Sequence, residues 1–315
     1  MKTKTIAKII TAKMKAWITT LPTILQQPVK DNLLVSGGCI TSMLLREDVN
    51  DFDVYIQDMD VLKDIAAHYA LPISPVLDGR KRMQYIQEYM TSKNIKCSPE
   101  EYLKDSSIFW AGDKSDQDRS IEFLRLKSLK EDQIKYYMPS AGEAVEYNEP
   151  VEENSYVPLF YSPNAISLSD DVQIVLRFNG TVENIHKTFD FQHATNYFTF
   201  KEGLVLNKEA LASIITKELK YQGSYFPVTS IIRMKKFISR GWTIGAGEIL
   251  KIIFQCSELN LKDPEVLEDQ LIGVDVAYFA ALIELLTVRE PGQEVTYAFL
   301  ANTIDKIFNQ IEGDE

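Results

Sequence analysis

The chain has 315 residues, of which 45% are apolar and 25% are charged; this composition is typical of soluble globular proteins, and the length allows two domains. The formal net charge of −11 argues against a protein that wraps a long duplex without sequence preference. The sequence has no apolar run long enough to cross a bilayer and no secretory cleavage pattern, so we expect no membrane partner. Its three cysteines lie far apart and lack metal-finger spacing, which favours a reduced, cytoplasmic setting.

The N-terminal segment is basic and amphipathic. Residues 1–30 hold six lysines and no acidic residue. Within 4–20, the apolar side chains recur at helical spacing, which predicts a helix with a lysine-rich outer face: Ile6, Ile9, Ile10, Met14 and Trp17. We interpret it as a helix packed against a sheet; the alternative is an arm for a membrane or a nucleic acid. Pro22 and Pro28 are then expected to bracket a short connection.

Residues 33–56 contain the most informative pattern in the chain. The apolar run 33–35 predicts a short buried strand. The pair Gly37–Gly38 follows, and 39–46 carries helix-forming side chains on a mostly apolar face. Glycines allow a backbone to approach a phosphate closely, and a helix N-terminus favours negative charge. The pattern therefore predicts a turn that could receive an anion.

A second strand is predicted directly after this helix, with two carboxylates. Asp51 and Asp53 are spaced by Phe52, and side chains alternate across a strand, so both carboxylates should project to one side while Phe52 and Val54 face a core. Two adjacent carboxylates that stay ionised usually hold a divalent cation, most often Mg²⁺. Residues 59–70 predict a further helix, which contains His68.

The order strand, Gly-Gly, helix and strand with Asp-x-Asp resembles the signature of the DNA polymerase beta-like nucleotidyltransferase superfamily. Twelve residues separate Gly38 from Asp51, a spacing that fits this signature. The resemblance implies a mixed α/β fold, an NTP substrate and two Mg²⁺ ions, or Mn²⁺, held by Asp51 and Asp53. It also implies that the Gly37–Gly38 turn and Ser42 hold the triphosphate. The alternative is a βαβ unit whose strand simply ends in solvent.

The superfamily's third motif is a carboxylate flanked by apolar residues, and Asp190 resembles it. The resemblance implies that Asp190 joins Asp51 and Asp53 as a catalytic metal ligand. The β-branched run 172–178 predicts a central strand, and a turn and a short helix follow it. The segment FDFQHATNYF is then expected to return as a strand with Asp190 between two phenylalanines. Glu122 is the rival third carboxylate. His186 and His193 flank the motif; for both, a structural position is favoured over a metal or acid–base role.

Helical patterns dominate from residue 204 onward. Asn207 is the expected cap of one helix, and the next carries Arg233, Lys236 and Arg240 at i, i+3 and i+7. This basic stripe is expected to bind phosphates or an acceptor; the alternative is a solvated face. Further helices are expected near 245–258, 263–286 and 294–311. The predicted domains are a nucleotidyltransferase domain at 1–202, with a loop-rich insertion at about 73–160, and a C-terminal helical domain at 203–315.

Segments across 155–280 resemble phage-encoded nucleotidyltransferase-like proteins. The likeness to CCA-adding tRNA nucleotidyltransferases is looser, because the residues after Gly-Gly are Cys39 to Ser42 rather than an Arg-Asp pair. We therefore expect an enzyme that moves an NMP from an NTP onto an acceptor hydroxyl, with an RNA (tRNA-like) 3′ end as the favoured acceptor. Protein nucleotidylation, synthesis of a nucleotide signal and a non-catalytic nucleotide-binding module are the alternatives.

Overall fold

A computed structural model of the chain describes residues 1–70, 143–144, 150–161, 164–261, 263, 266 and 270. Glu122 lies outside these residues, as do most of the insertion and the helices predicted near 263–286 and 294–311, apart from the three single positions. The chain divides into two compact units. The first comprises Met1–Val182 and Asn196–Val205, and the second comprises Glu183–Thr195 and Leu206–Glu315. The domain boundary expected after residue 202 stays a prediction.

The first unit is a mixed α/β unit, as the sequence predicts. Its described helices are α1 (Thr3–Thr20), α2 (Thr23–Asn32), α3 (Gly38–Leu45) and α4 (Met59–Ala70). Its described strands are β1 (Leu33–Ser36), β2 (Phe52–Ile56), β3 (Glu143–Ala144), β4 (Pro158–Tyr161), β5 (Ala165–Leu168), β6 (Val172–Val175), β7 (Tyr197–Thr199) and β8 (Gly203–Val205).

The eight strands form one sheet in the order β3-β4-β5-β6-β2-β1-β7-β8. Every described pair in it is antiparallel except β2 with β6, which run parallel. β2 therefore lies inside the sheet, where Val54 pairs with Val35 of β1 and Asp53 pairs with Gln173 of β6. β6 is also an inner strand, which confirms the central strand predicted from its β-branched run.

The core of the first unit begins with α1, which confirms the predicted amphipathic helix. One face of α1 is buried at Ile6, Ile10, Met14 and Trp17. Ile9, which the sequence assigned to the same face, is 38% exposed. Successive residues of a helix are rotated by about 100° around its axis, so Ile9 lies at the edge of the face that buries Ile10.

The short connection predicted between α1 and β1, bracketed by Pro22 and Pro28, is wrong. Residues 23–32 form the helix α2 instead of a short irregular link. Pro22 stands before the first helical residue, where a proline disrupts nothing, and Pro28 is accommodated inside the helix. Leu25 and Val29 are one turn apart and buried, so packing of this apolar pair outweighs the proline signal.

The second unit is mainly helical in its described part. Its elements are α5 (Val182–His186, which starts at the boundary), a 3₁₀ turn (Gln192–Ala194), α6 (Lys208–Thr216), β9 (Glu218–Leu219), α7 (Pro227–Ser239), β10 (Thr243–Ile244) and α8 (Ala246–Ser257). β9 and β10 form a short parallel pair. The predicted cap of α6 is confirmed, because the Asn207 side chain accepts a hydrogen bond from the Glu209 N–H. No helix among the described residues has both the length and the apolar character that crossing a membrane requires.

Candidate active site

The Gly37–Gly38 turn joins β1 to α3, where the sequence places it. Gly37 has φ 100° and ψ −152°, a conformation that side chains rarely adopt. A Cβ built on Gly37 would lie only 2.7 Å from Oδ2 of Asp53, whereas one on Gly38 would meet nothing within 4 Å. Both the backbone conformation of Gly37 and the nearby carboxylate of Asp53 therefore favour glycine at this position.

The two carboxylates occupy the start of β2. Asp51 lies immediately before the strand and is exposed, and Asp53 lies within it and is half-buried. Phe52 and Val54, which alternate with them, are buried, as the predicted alternation requires. The inner position of β2 fixes Asp53 in register, while its exposure leaves oxygen atoms that water or a cation can reach.

Cys39 lies in the first turn of α3, and the pKa of its thiol is affected by the negative charge of this region. Burial raises the pKa of its thiol well above the ordinary value, and the negative charges of Asp53 and then Asp51 raise it further. The thiol is therefore neutral, and it is neither a nucleophile nor a thiolate ligand in this state. Because both carboxylates act on one thiol, both lie close to the N-terminal turn of α3.

Together these groups form an arrangement that suits a cation with a phosphate. The N-cap residue of α3 is Gly37, which has no side chain to cap the helix, and the first N–H groups of a helix lack intrahelical partners. The hard oxygen atoms of Asp51 and Asp53 are the ligands that Mg²⁺ prefers, so these residues fit the expected ion. Within each unit, however, the described residues contain no group of three or more potential metal ligands. Ser42 lies one turn beyond Gly38 and is about nine-tenths buried; its contact with a triphosphate stays a prediction.

Asp190 does not lie on a strand, so this part of the expectation is wrong. The residue is in a bend between α5 and the 3₁₀ turn, and only Phe191 beside it forms an isolated bridge, to Tyr221. The predicted strand begins later, as β7 at Tyr197. Phenylalanine alternates with polar residues here, as in a strand. However, Oδ1 of Asp190 accepts a hydrogen bond from the N–H of Phe191 at 2.9 Å, and this local bond competes with strand pairing.

The partner of Asp190 is Arg233 of α7. Nη1 of Arg233 donates to Oδ2 of Asp190 at 2.9 Å, and the carboxylate is buried while the guanidinium is half-exposed. The structure thus joins two residues that the sequence assigned to separate tasks, metal binding and phosphate binding. The sequence contains no signal for this pair beyond the need of a buried carboxylate for a cation. The role of Asp190 as a third metal ligand stays a prediction.

The other two basic residues of α7 have different surroundings. Lys236 is exposed. Arg240 lies just past the helix, with its guanidinium 5.3 Å from the ring centroid of Phe237. Gly241 follows with φ 80°, which confirms the predicted end of the helix. The three side chains therefore do not form a uniform stripe, although their contact with phosphates stays a prediction.

His193 lies in an aromatic cluster of the second unit. Its ring centroid is 4.4 Å from that of Phe237 and 4.7 Å from that of Trp242. Burial lowers the pKa of His193 to about 4; the charge of Asp190 opposes this and that of Arg240 adds to it. The imidazole is neutral at physiological pH, in agreement with the structural position favoured from the sequence. His186 is also neutral, because burial lowers its pKa to about 4 despite the opposing charge of Glu183.

Two solved structures of CCA-adding enzymes are similar to this chain at low levels. The enzyme of Bacillus stearothermophilus in complex with CTP is 10% identical, with 82% of this chain and 50% of that chain covered and a TM-score of 0.33. The enzyme of Thermotoga maritima in complex with tRNA is 12% identical, with 88% and 56% covered and a TM-score of 0.33.

A protein of Bacillus phage SPbetaL7, named Gabija anti-defense 2, is 31% identical over 144 residues. The match covers 45% of this chain and 34% of that protein, so the chain spans about a third of the length of this relative. The likeness to a phage-encoded group expected from the sequence is confirmed by this relative. Residues 8–217, which include both β1–α3–β2 and Asp190, match the family described as Gabija anti-defense 2 family protein. The chain belongs to the Gabija anti-defense 2 family.

Proposed function

We propose that the chain is a metal-dependent nucleotidyltransferase that a phage uses against the Gabija defence of its host. The observation that supports the transfer activity is the close approach of the Gly37 turn to Asp53, whose Oδ2 lies 2.7 Å from the position that a Cβ on Gly37 would occupy. A turn that presents backbone N–H groups beside a pair of carboxylates can accept a phosphate and the cation that neutralises it. The family name carries the role against a defence system.

In the proposed reaction, an acceptor hydroxyl oxygen bonds to the α-phosphorus of an NTP and gives up its proton to water, while the bond from the α-phosphorus to the bridging oxygen breaks and pyrophosphate leaves. Asp51 and Asp53 would hold Mg²⁺, which supplies charge neutralisation for the phosphates when bound. The N-terminal turn of α3 would orient the triphosphate through its N–H groups. Cys39 stays protonated beside the carboxylates and so adds no negative charge against the substrate.

We propose the 3′ hydroxyl of an RNA as the acceptor; a protein hydroxyl and a second nucleotide are the alternatives. A binding module without catalysis is a second candidate function. The observation that favours it is the pairing of Asp190 with Arg233, because a salt-bridged carboxylate is a weaker candidate for completing a two-metal site.

Incubation with each α-³²P-labelled NTP, Mg²⁺ and host lysate, followed by separation of RNA, protein and small molecules, tests the proposal. The wild-type chain should label one of these fractions. Asp51→Asn or Asp53→Asn should reduce labelling on the order of a hundredfold or more, because each removes a charge that stabilises the transition state. Asp48→Asn is the matched control, since Asp48 is an exposed carboxylate in the same loop, and it should label like the wild type.

Labelling by folded Asp53→Asn at the wild-type rate would exclude catalysis at this site. The fraction that carries the label identifies the acceptor, and label in protein or in a small nucleotide alone would overturn the RNA assignment.

A further inference from the structure

The outer face of α1 carries three exposed lysines in a row, Lys4, Lys8 and Lys15, here called the lysine row. At 3.6 residues per turn they fall within about 40° of arc and span about 16 Å along the axis. Lys13 lies on another side of the helix, and its ammonium is 3.7 Å from Oδ2 of Asp171. Among the described residues, in contrast, no ion pair involves a member of the lysine row.

The lysine row is not needed to attach α1 to its unit. The opposite face of the helix is held by four apolar side chains with no exposed surface: Ile6, Ile10, Met14 and Trp17. Burial of these four apolar side chains stabilises the attachment of the helix to its unit. The lysines contribute no comparable contact, so their alignment has no explanation in packing.

Helix electrostatics do not explain the lysines either. Lys2 is the N-cap of α1, Lys4 lies in the first turn, and this turn contains no acidic residue. Cations at a helix N-terminus oppose its dipole and cost stability. Residues 1–30 contain no acid at all in a chain with a net charge of −11. The unit therefore concentrates positive charge where it weakens the fold, as a surface for an anionic partner does.

We propose that the lysine row binds the phosphodiester backbone of a nucleic acid, RNA or DNA, without reading its sequence. Each strand of a duplex carries one phosphate per about 3.4 Å of axis, so the row can meet phosphates along its whole length. Lysine ammonium groups act as point charges and fix position, whereas base recognition needs contacts in the grooves. This surface goes beyond nucleotidyl transfer, because none of its residues belongs to the Asp51 and Asp53 site.

A membrane surface fits the same charges less well. A helix that lies on a bilayer buries its apolar face among the lipid chains. On α1 that face is already buried in the core of the unit. Of the large apolar residues of α1, only Ile9 has an exposed fraction near 40%, which is too little to hold a helix in lipid.

The test compares the full chain with the combined variant Lys4→Gln, Lys8→Gln and Lys15→Gln by fluorescence anisotropy on labelled single-stranded RNA and duplex DNA. On duplex DNA, three phosphate contacts contribute a slope of about −2.7 in log affinity against log salt, which is about a 40-fold loss between about 50 and about 200 mM; on single-stranded RNA the slope is about −2 and the loss about 20-fold. The variant should bind more weakly at low salt, and its slope should be shallower by about these amounts. Binding of only one nucleic acid would identify the source of the phosphates.

The matched control is the combined variant Lys187→Gln, Lys201→Gln and Lys208→Gln, which changes three exposed lysines elsewhere and alters the net charge equally. It should bind like the wild type. If the first variant does not fold by circular dichroism, Lys8→Gln alone should reduce the slope by about 1.

Two results would overturn the inference. They are no binding of RNA or DNA by the wild-type chain, and equal losses in the two combined variants.

Discussion

At the scale of single residues, the two glycines of the turn have different tasks. Gly37 adopts φ 100° against the Asp53 carboxylate, and Gly38 opens α3 with free space around it. A sequence pattern treats the pair as equivalent, because both are simply residues without a side chain. The structure separates a glycine required by its backbone from one that leaves room for a ligand.

Gly37→Ala should therefore cost about 2 kcal/mol in the free energy of unfolding, because a Cβ is strained at this φ and collides with Oδ2 of Asp53. Gly38→Ala should change stability by less than about 0.5 kcal/mol. Urea unfolding of both variants measures the difference. Equal stabilities would show that the turn relaxes without cost, and the contact with Asp53 would then not fix the site.

His68 should make the stability of the chain depend on pH. Burial lowers the pKa of His68 in α4 to about 3, from 6.5. Above pH 6.5 neither the folded nor the unfolded state is protonated there. As the pH falls below 6.5, the unfolded state takes up a proton at His68 and the folded state does not. The free energy of unfolding therefore decreases until about pH 3.

A His68→Leu variant removes this proton uptake. Relative to the wild type, its free energy of unfolding should be higher at pH 5 than at pH 7.5 by about 2 kcal/mol. Urea titrations of both proteins at the two pH values measure this. A difference that does not change with pH would mean that His68 is accessible to protons in the folded state.

At the scale of elements, the segment that contains Asp190 depends on α7. The carboxylate of Asp190 is fixed by the N–H of Phe191 and by Arg233, which is 43 residues away. Because one partner is buried and the other half-exposed, we expect a coupling of about 1 kcal/mol in a double-mutant cycle of Asp190→Ala and Arg233→Ala. Additive losses of stability would contradict a direct interaction between the two.

Transfer assays of the same variants separate two roles of Asp190. If Asp190 completes the metal site, Asp190→Ala should lose transfer even at saturating NTP and acceptor, whereas Arg233→Ala should retain it under these conditions. If the pair only positions the segment, both variants should lose activity alike, in proportion to their loss of stability.

Elements defined by local periodicity could be predicted from the sequence, and those defined by distant contacts could not. α1, β1, α3 and β2 each match their predicted place, since apolar spacing and the glycine pair are local signals. α2 was missed because its prolines are compatible with a helix that Leu25 and Val29 pack. The bend at Asp190 was missed because alternating phenylalanines imitate a strand, whereas the carboxylate accepts the N–H of Phe191 and pairs with Arg233, 43 residues away. Asp53 lies in the predicted strand and Asp51 immediately before it, and their role in a site stays a prediction. The Asp190–Arg233 pair was not foreseen.

At the scale of the whole molecule, the family name and the proposed chemistry make a joint prediction. Phage infection of cells that carry the Gabija defence should succeed when the wild-type chain is expressed. It should fail with Asp53→Asn, because inhibition of the defence would need the transferred nucleotide. Plaque counts measure this, with Asp48→Asn as the matched control and cells without the defence as the reference. Plaque counts with Asp53→Asn equal to those with the wild-type chain would favour a binding module that acts without catalysis.

The parallel pairing of β2 with β6 also affects how the chain is made. More than a hundred residues lie between the end of β2 at Ile56 and the start of β6 at Val172. At about 5–20 residues per second, a ribosome needs on the order of ten seconds to add them. During this interval one edge of β2, the strand that contains Asp53, is not yet paired with β6. An unpaired strand edge can pair with another chain and promote aggregation. The carboxylate site therefore matures late in synthesis, and nascent chains should need a chaperone until β6 has emerged.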